Sequence, residues 1–165
     1  MLAACVVATV VALLGGGCGV YTFSGSTLPG YLRTVEIPLF ANRTLQPGVA
    51  EEITSELNTK VLGANLLRVV PRDGDASLSG EVRGYLNEEY QYDIKGERRV
   101  DVTEYVVRIA VYVEFFDRKK GKPLYSGMVE GEGVYAFGSE QETQGRQRAV
   151  EDVVRQILEN SVQGW

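Results

Sequence analysis

Between Val102 and Phe116 the chain alternates without a break. Tyr105, Val107, Ile109, Val111, Val113 and Phe115 fall on one side, and Glu104, Arg108 and Glu114 on the other. A period of two over this length is an extended strand. Its clean apolar–polar split points to an antiparallel sheet covered on one face only. The remainder of the chain must therefore supply more strands and an apolar layer to cover them.

Thr34–Phe40 repeats the alternation in miniature, with Val35, Ile37 and Leu39 opposite Thr34, Glu36 and Pro38, and Pro38 places this strand near an edge. Leu66–Val70, ended by Pro71, reads as a short strand. From Leu78 the pattern resumes, with Leu78, Gly80, Val82, Gly84 and Leu86 facing away from Ser79, Glu81, Arg83 and Tyr85, and it runs loosely to Tyr92. After a charged connection over 93–101 and the turn Asp117–Pro123, Leu124–Phe137 forms a further strand. Its Gly127, Gly131 and Gly133 imply bending or the close approach of another backbone.

Two segments change period. Val49, Ile53, Leu57 and Val61 make an apolar stripe on a helix from Val49 to about Leu62. Glu51 and Glu52 sit in its first turn, Glu56 and Lys60 pair at i,i+4, and Gly63 is the expected stop. Ser139 and Glu142 form a capping box ahead of Val150, Val153, Val154, Ile157 and Leu158, predicting a helix to about Asn160 or Val162. The fold class is thus α+β. It is a two-layer sandwich of two amphipathic helices on one face of a mostly antiparallel four- to five-stranded sheet.

Ahead of this domain, residues 2–14 are an uncharged apolar run followed by Gly15-Gly16-Gly17 and Cys18. The run is shorter than the roughly 20 residues that span a bilayer and fits the apolar core of a secretory signal. Small residues followed by cysteine are what bacterial lipoprotein processing cleaves and acylates. Gly15 stands where such signals usually carry leucine, and no Lys or Arg precedes Arg33. The competing reading is a buried N-terminal strand or helix of a cytosolic protein. The organisation expected is a signal over 1–17, a lipidated Gly/Ser/Thr-rich tether over 18–32, and one domain over 33–165. With Cys18 acylated and Cys5 removed, the mature chain carries no thiol.

The chain has no histidine, which excludes Ser-His-Asp and Cys-His sites and leaves little with which to hold zinc. Glu51-Glu52 and Glu88-Glu89 are sequence neighbours whose carboxylates do not converge. Asp73-Gly74-Asp75 lacks the spacing of a calcium loop, and Gly131-Glu132-Gly133 lacks the third glycine of a phosphate loop. These residues point to no catalytic centre, metal or cofactor. A net charge of −5 offers no field for nucleic acid. Locally, Arg98-Arg99 and Arg118, Lys119, Lys120 and Lys122 concentrate positive charge in two connections. Such clusters either bind anionic phosphates or keep a solvated turn soluble. Tyr85 and Tyr112 fall opposite the apolar stripes, where exposed aromatics can mark a partner surface.

One set of residues resembles the LptE family of lipopolysaccharide-assembly lipoproteins. It consists of Cys18-Gly19, Tyr21-x-Phe23-Ser24-Gly25, Leu28-Pro29, the strand end Ile37-Pro38-x-Phe40, then Asn42-Arg43-Thr44, and a helix carrying Glu52 and Thr54. The match is densest from Cys18 to Leu62 and is one of architecture beyond it. The resemblance implies a non-enzymatic lipoprotein on the periplasmic face of the Gram-negative outer membrane. It implies a β-barrel partner, LptD, inside which the protein sits as a plug, and engagement of lipopolysaccharide (LPS). Arg118, Lys119, Lys120 and Lys122 are candidate contacts to lipid A phosphates on electrostatic grounds. The alternative function is a free-standing periplasmic lipoprotein that binds a small ligand or lipid between helices and sheet.

Overall fold

The computed structural model describes residues 28–65, 67–94 and 100–163. The signal over 1–17, Cys18 and the tether through Thr27, including Gly19, Tyr21, Phe23, Ser24 and Gly25, lie outside the described residues, as do Arg98 and Arg99. The elements in order are β1 (Thr34–Glu36), β2 (Ala41–Asn42), α1 (Val49–Ala64), β3 (Arg68–Val70), β4 (Ala76–Ile94), β5 (Val100–Asp117), β6 (Lys122–Ala136) and α2 (Glu142–Leu158), closed by a π-helical turn (Glu159–Gln163).

The α+β class and the two helices are as the periodicity predicts, but the sheet is mixed and has six strands. Its order is β3-β1-β4-β5-β6, with β2 also paired to β4. β4, β5 and β6 form the antiparallel meander, whereas β1 runs parallel to both β3 and β4, and β2 runs parallel to β4. The parallel pairs follow from connectivity. α1 intervenes between β1 and β3, and a helical crossover returns the chain in the same direction. The return from β3 to β4 then passes tightly over β1 at Gly74, where a Cβ would lie 2.6 Å from the Glu36 nitrogen.

The core lies between the helices and one face of the sheet. Val107, Ile109, Val111, Val113 and Phe115 of β5 are fully buried there, together with Ile53 and Leu57 of α1 and Val153, Val154 and Ile157 of α2. The glycines of β6 let α2 come close. A Cβ on Gly131 would sit 2.5 Å from the Ala149 carbonyl, and one on Gly133 would collide with Gly145 and Ala149. Gly127, by contrast, faces only the Tyr125 side chain.

Four local expectations are corrected. The first strand stops at Glu36 because Pro38 cannot continue the ladder. The phase then slips, so Phe40 is buried while Leu39 is 63% exposed. In β4 a bulge between Val82 and Gly84 reverses the faces. Tyr85 therefore turns inward to pack against the core, and Leu86 turns out to solvent. α1 ends not at Gly63 but at Asn65, which takes the left-handed conformation at φ 52° that asparagine tolerates. The cap of α2 is Gln141, whose N–H is accepted at 2.8 Å by the side chain of Gln144, so Ser139 and Glu142 do not form the box.

The outer edge of β6 is blocked by α2. Gln156 donates to the Glu130 carbonyl at 2.6 Å, Asp152 accepts the Glu132 N–H at 3.2 Å, and Arg148 donates to the Val134 carbonyl. Glu140 accepts the Ala136 N–H at 2.8 Å. The match is geometric: four helical residues rise about 6 Å and two strand residues about 6.7 Å. A stripe at 148, 152 and 156 can therefore keep step with every second residue of β6 and satisfy an edge that would otherwise invite another strand.

Candidate functional site

The candidate phosphate cluster lies in and beside the β5–β6 turn, and most of it is engaged by the protein itself. Asp117, buried at the end of β5, accepts the Tyr31 hydroxyl at 2.5 Å and the backbone N–H groups of Lys119 and Lys120 at 2.9 and 3.0 Å. Lys119 reaches the Asp75 carboxylate at 2.8 Å and the Tyr31 carbonyl at 2.9 Å. The Lys120 ammonium sits 4.7 Å from the centre of the Tyr31 ring, and Arg118 pairs with Glu36 at 2.7 Å. Among the described residues Arg118 and Lys119 make ion pairs, Lys120 makes only the contact with the Tyr31 ring, and Lys122 makes neither.

The cluster therefore works first as a clamp. It fastens the segment that leads into the domain onto the end of the sheet. Asp75 completes it by accepting the N–H groups of Arg33 and Thr34 at 2.8 and 3.0 Å. The salt-bridged Lys119, then these backbone donors, hold Asp75 well below the usual carboxylate range. Burial alone would push Asp117 up, but the bonds from Tyr31 and from the Lys120 and Lys119 backbone outweigh it and lower it. The Tyr31 phenol, hydrogen-bonded to Asp117, is pushed up to about 12. Sequence reasoning missed Tyr31, Asp75 and Asp117. Asp117 was findable, since an Asp that opens a tight charged turn habitually accepts the next N–H groups.

The family motif builds framework rather than a ligand site. The Pro29 carbonyl accepts the Leu32 N–H at 2.9 Å. Ile37 packs against the core, and the Phe40 ring fills the space beside Gly80 while its N–H donates to Thr54 at 3.1 Å. Asn42 accepts the Thr44 N–H and hydroxyl at 2.9 and 2.8 Å and donates to the Gln46 carbonyl at 2.8 Å, and Arg43 pairs with Glu81 at 3.2 Å. These bonds shape the turn between β2 and α1. Pro38 itself is exposed.

The sheet face away from the helices is dressed with ion pairs. Arg108 bridges Glu88 of β4 and Glu132 of β6, and Glu81 accepts both Arg83 and Arg43. Tyr112 lies on this face under the Arg83 guanidinium, 4.4 Å away, as the alternation predicted. Tyr85 does not. On the helix side its hydroxyl donates to Glu142 at 2.6 Å, and burial followed by that carboxylate raises its pKa. A groove of about 580 Å³ runs between α1 and α2, lined by Glu51, Glu52, Glu56, Arg146 and Glu151 among others. It lies between the helices, is mostly acidic, and is partly bridged by the 3.0 Å Arg146–Glu52 pair. Among the described residues no acidic cluster can hold a metal ion, and no helix is long and apolar enough to cross a membrane.

A family model described as LptE, lipopolysaccharide-assembly, matches residues 32–161, from the clamp to the final turn. The chain belongs to the LptE family. LptE proteins are non-enzymatic lipoproteins of the outer membrane that act with the LPS transport machinery. No curated protein sequence matches this LptE chain. Among solved structures, the hypothetical protein CT253 from Chlamydia trachomatis superposes with a TM-score of 0.56 at 11% identity, over 77% of this chain and 94% of that one. Lipoprotein GNA1162 from Neisseria meningitidis gives 0.47 at 14% identity, over 76% and 97%. The PelC dodecamer from Paraburkholderia phytofirmans gives 0.47 at 19% identity, over 81% and 91%. The first likeness is one of fold, and the other two are weaker.

Proposed function

We propose that this protein is anchored in the outer membrane through an acylated Cys18 and acts as the plug and folding partner of an LptD-type β-barrel, assisting LPS transfer to the outer leaflet. The observation that carries this reading is the family match across 32–161, which spans the whole sandwich. The open sheet face supports it: charged pairs over a half-buried surface suit a water-lined barrel lumen. With Arg118, Lys119 and Lys120 engaged internally, Lys122 is the member of the cluster best placed to meet an outside phosphate. The rival, a free-standing lipoprotein holding a ligand between helices and sheet, finds that interface filled by close-packed valines and glycines.

Gentle detergent extraction followed by affinity capture should recover a large β-barrel protein in near-stoichiometric amount. Recovery of the lipoprotein alone would overturn the plug reading. Cys18→Ala should abolish acylation, and an unmodified mature Cys18 in mass spectrometry would remove the anchor.

A further inference from the structure

The clamp lies within a larger arrangement of charge. β3, β1, β4 and the β5–β6 turn all reach the same end of the sheet. Arg68 pairs in register with Thr34, Arg33 precedes Thr34, the Asp75 carboxylate accepts the N–H groups of Arg33 and Thr34, and the Arg118 N–H donates to the Asp75 carbonyl at 3.0 Å. Lys122 pairs in register with Asp117. The result is a row of Arg68, Arg33, Arg118, Lys119, Lys120 and Lys122 across the width of the sheet, roughly 20 Å at the usual strand spacing.

Six cations here face three carboxylates, Glu36, Asp75 and Asp117, while the neighbouring Arg72 and Asp73 offset each other. The whole chain carries −5, so a positive pole stands on an acidic body. Arg33, Arg68 and Lys122 are exposed and make no ion pair among the described residues. The same end receives the leading segment. Leu28 and Tyr31 pack against the core there, and only nine residues lie between Leu28 and Cys18. Fully extended, that stretch reaches about 35 Å.

We propose that, while the lipoprotein is not yet enclosed by a barrel, this pole seats directly on an anionic phospholipid surface, a second membrane contact that holds the sandwich end-on beside its lipid anchor. The inference rests on the acylation of Cys18 proposed above. Single acyl attachments leave orientation undetermined, whereas basic groups within a Debye length of an anionic leaflet are drawn to it. The acidic body is repelled by the same surface, so the dipole of the molecule selects one orientation. The internal pairs do not oppose this. Asp75 holds the Lys119 ammonium and Asp117 the Lys120 backbone, and Arg33, Arg68 and Lys122 supply the outward charge.

Lysine footprinting tests it on the acylated full-length mature protein. The chain has five lysines, of which Lys119, Lys120 and Lys122 lie at the pole and Lys60 lies on α1 as an internal control. In neutral phosphatidylcholine vesicles Lys120 and Lys122 should react with an amine reagent. With about 30 mol% phosphatidylglycerol, modification of Lys120 and Lys122 should slow about fivefold while Lys60 is unchanged, and about 0.5 M NaCl should reverse the effect. Arg33→Glu with Arg68→Glu removes charge without touching an ion pair, and should abolish the protection while circular dichroism and vesicle attachment are retained. Equal rates on both vesicles with the protein still attached would overturn the seating but leave the anchor standing. Protection that appears only when LPS is present would overturn it in favour of lipid A phosphates. Failure to float with either vesicle would remove the anchor and the seating together.

Discussion

The two faces of the sheet are made by the same three strands, and they obey different rules. On the helix face β5 contributes an unbroken file of fully buried residues, and the glycines of β6 admit the α2 backbone. On the open face the corresponding positions hold Arg108, Tyr112 and Glu114, with Arg108 tied across strands to Glu88 and Glu132, Tyr112 under Arg83, and Leu86 and Met128 57% and 51% exposed. Val106 is the exception. It is fully buried yet stands apart from the helix-side core, opposite Glu88 on β4 and Val134 on β6. Burial on the first face comes from an added layer. On the second, among the described residues, it comes from neighbours within the sheet, which can shift to close a gap.

The comparison breaks most visibly at Ile157. Ile157→Asp would place a carboxylate with no partner at the centre of the helix layer, at a cost of roughly 4 kcal/mol or more. Denaturant titration should find the variant largely unfolded, and a stability equal to wild type would mean α2 does not cover the sheet. Next comes a matched pair on one strand. Val111→Ala should cost about 2 kcal/mol, because the close-packed helix-side core around it prevents collapse into the space. Val106→Ala should cost about 1 kcal/mol, since its surroundings are looser. Equal losses for the two, read from urea midpoints at unchanged slope, would erase the distinction between the faces.

The helix face was legible in the sequence because one repeat generates it. Val107 to Phe115 need only a strand period, and Val153 to Ile157 only a helical one. The open face and the sheet topology were less so. A single extra residue at Arg83 exchanges the roles of Tyr85 and Leu86, and nothing in the alternation marks where it falls. The parallel pairing of β1 with β3 and β4 is decided by three-residue strands, too short for any period to register. The candidate site was half legible. The basic turn was visible as charge, but its engagement by Tyr31 and Asp75 joins residues 88 and 44 positions from Lys119, a separation that only the folded sheet closes.

A smaller effect distinguishes the guarded edge between the faces. Arg148 hydrogen-bonds Glu140, which also accepts the Ala136 N–H, and together they bring the Glu140 carboxyl down to about 2 from its ordinary 4.5. A carboxylate lowered by folding contributes stability above its unfolded value and loses it as pH falls through the folded one. The melting temperature should therefore decline between about pH 4.5 and 2. Glu140→Gln should flatten part of that decline while lowering the neutral-pH value slightly. An unchanged acid profile in the variant would show that the edge pair does not hold in solution.

The smallest expected effect lies at Leu86. The bulge turns this leucine outward, opposite Arg108 in register, and leaves it more than half exposed. A side chain already in water has little apolar area to lose, so Leu86→Ser should change stability by no more than about 0.5 kcal/mol. Had the alternation from Leu78 continued unbroken, Leu86 would lie beneath the helices and the same substitution would cost several times more. Its near-neutrality thus reads out the bulge directly. The companion substitution Tyr85→Ser removes a ring packed on the core and the bond to Glu142, and should be clearly destabilising by comparison. If urea titration returned the reverse order, with Leu86 costly and Tyr85 tolerated, the bulge would be absent and the two faces of β4 would have to be exchanged beyond Val82.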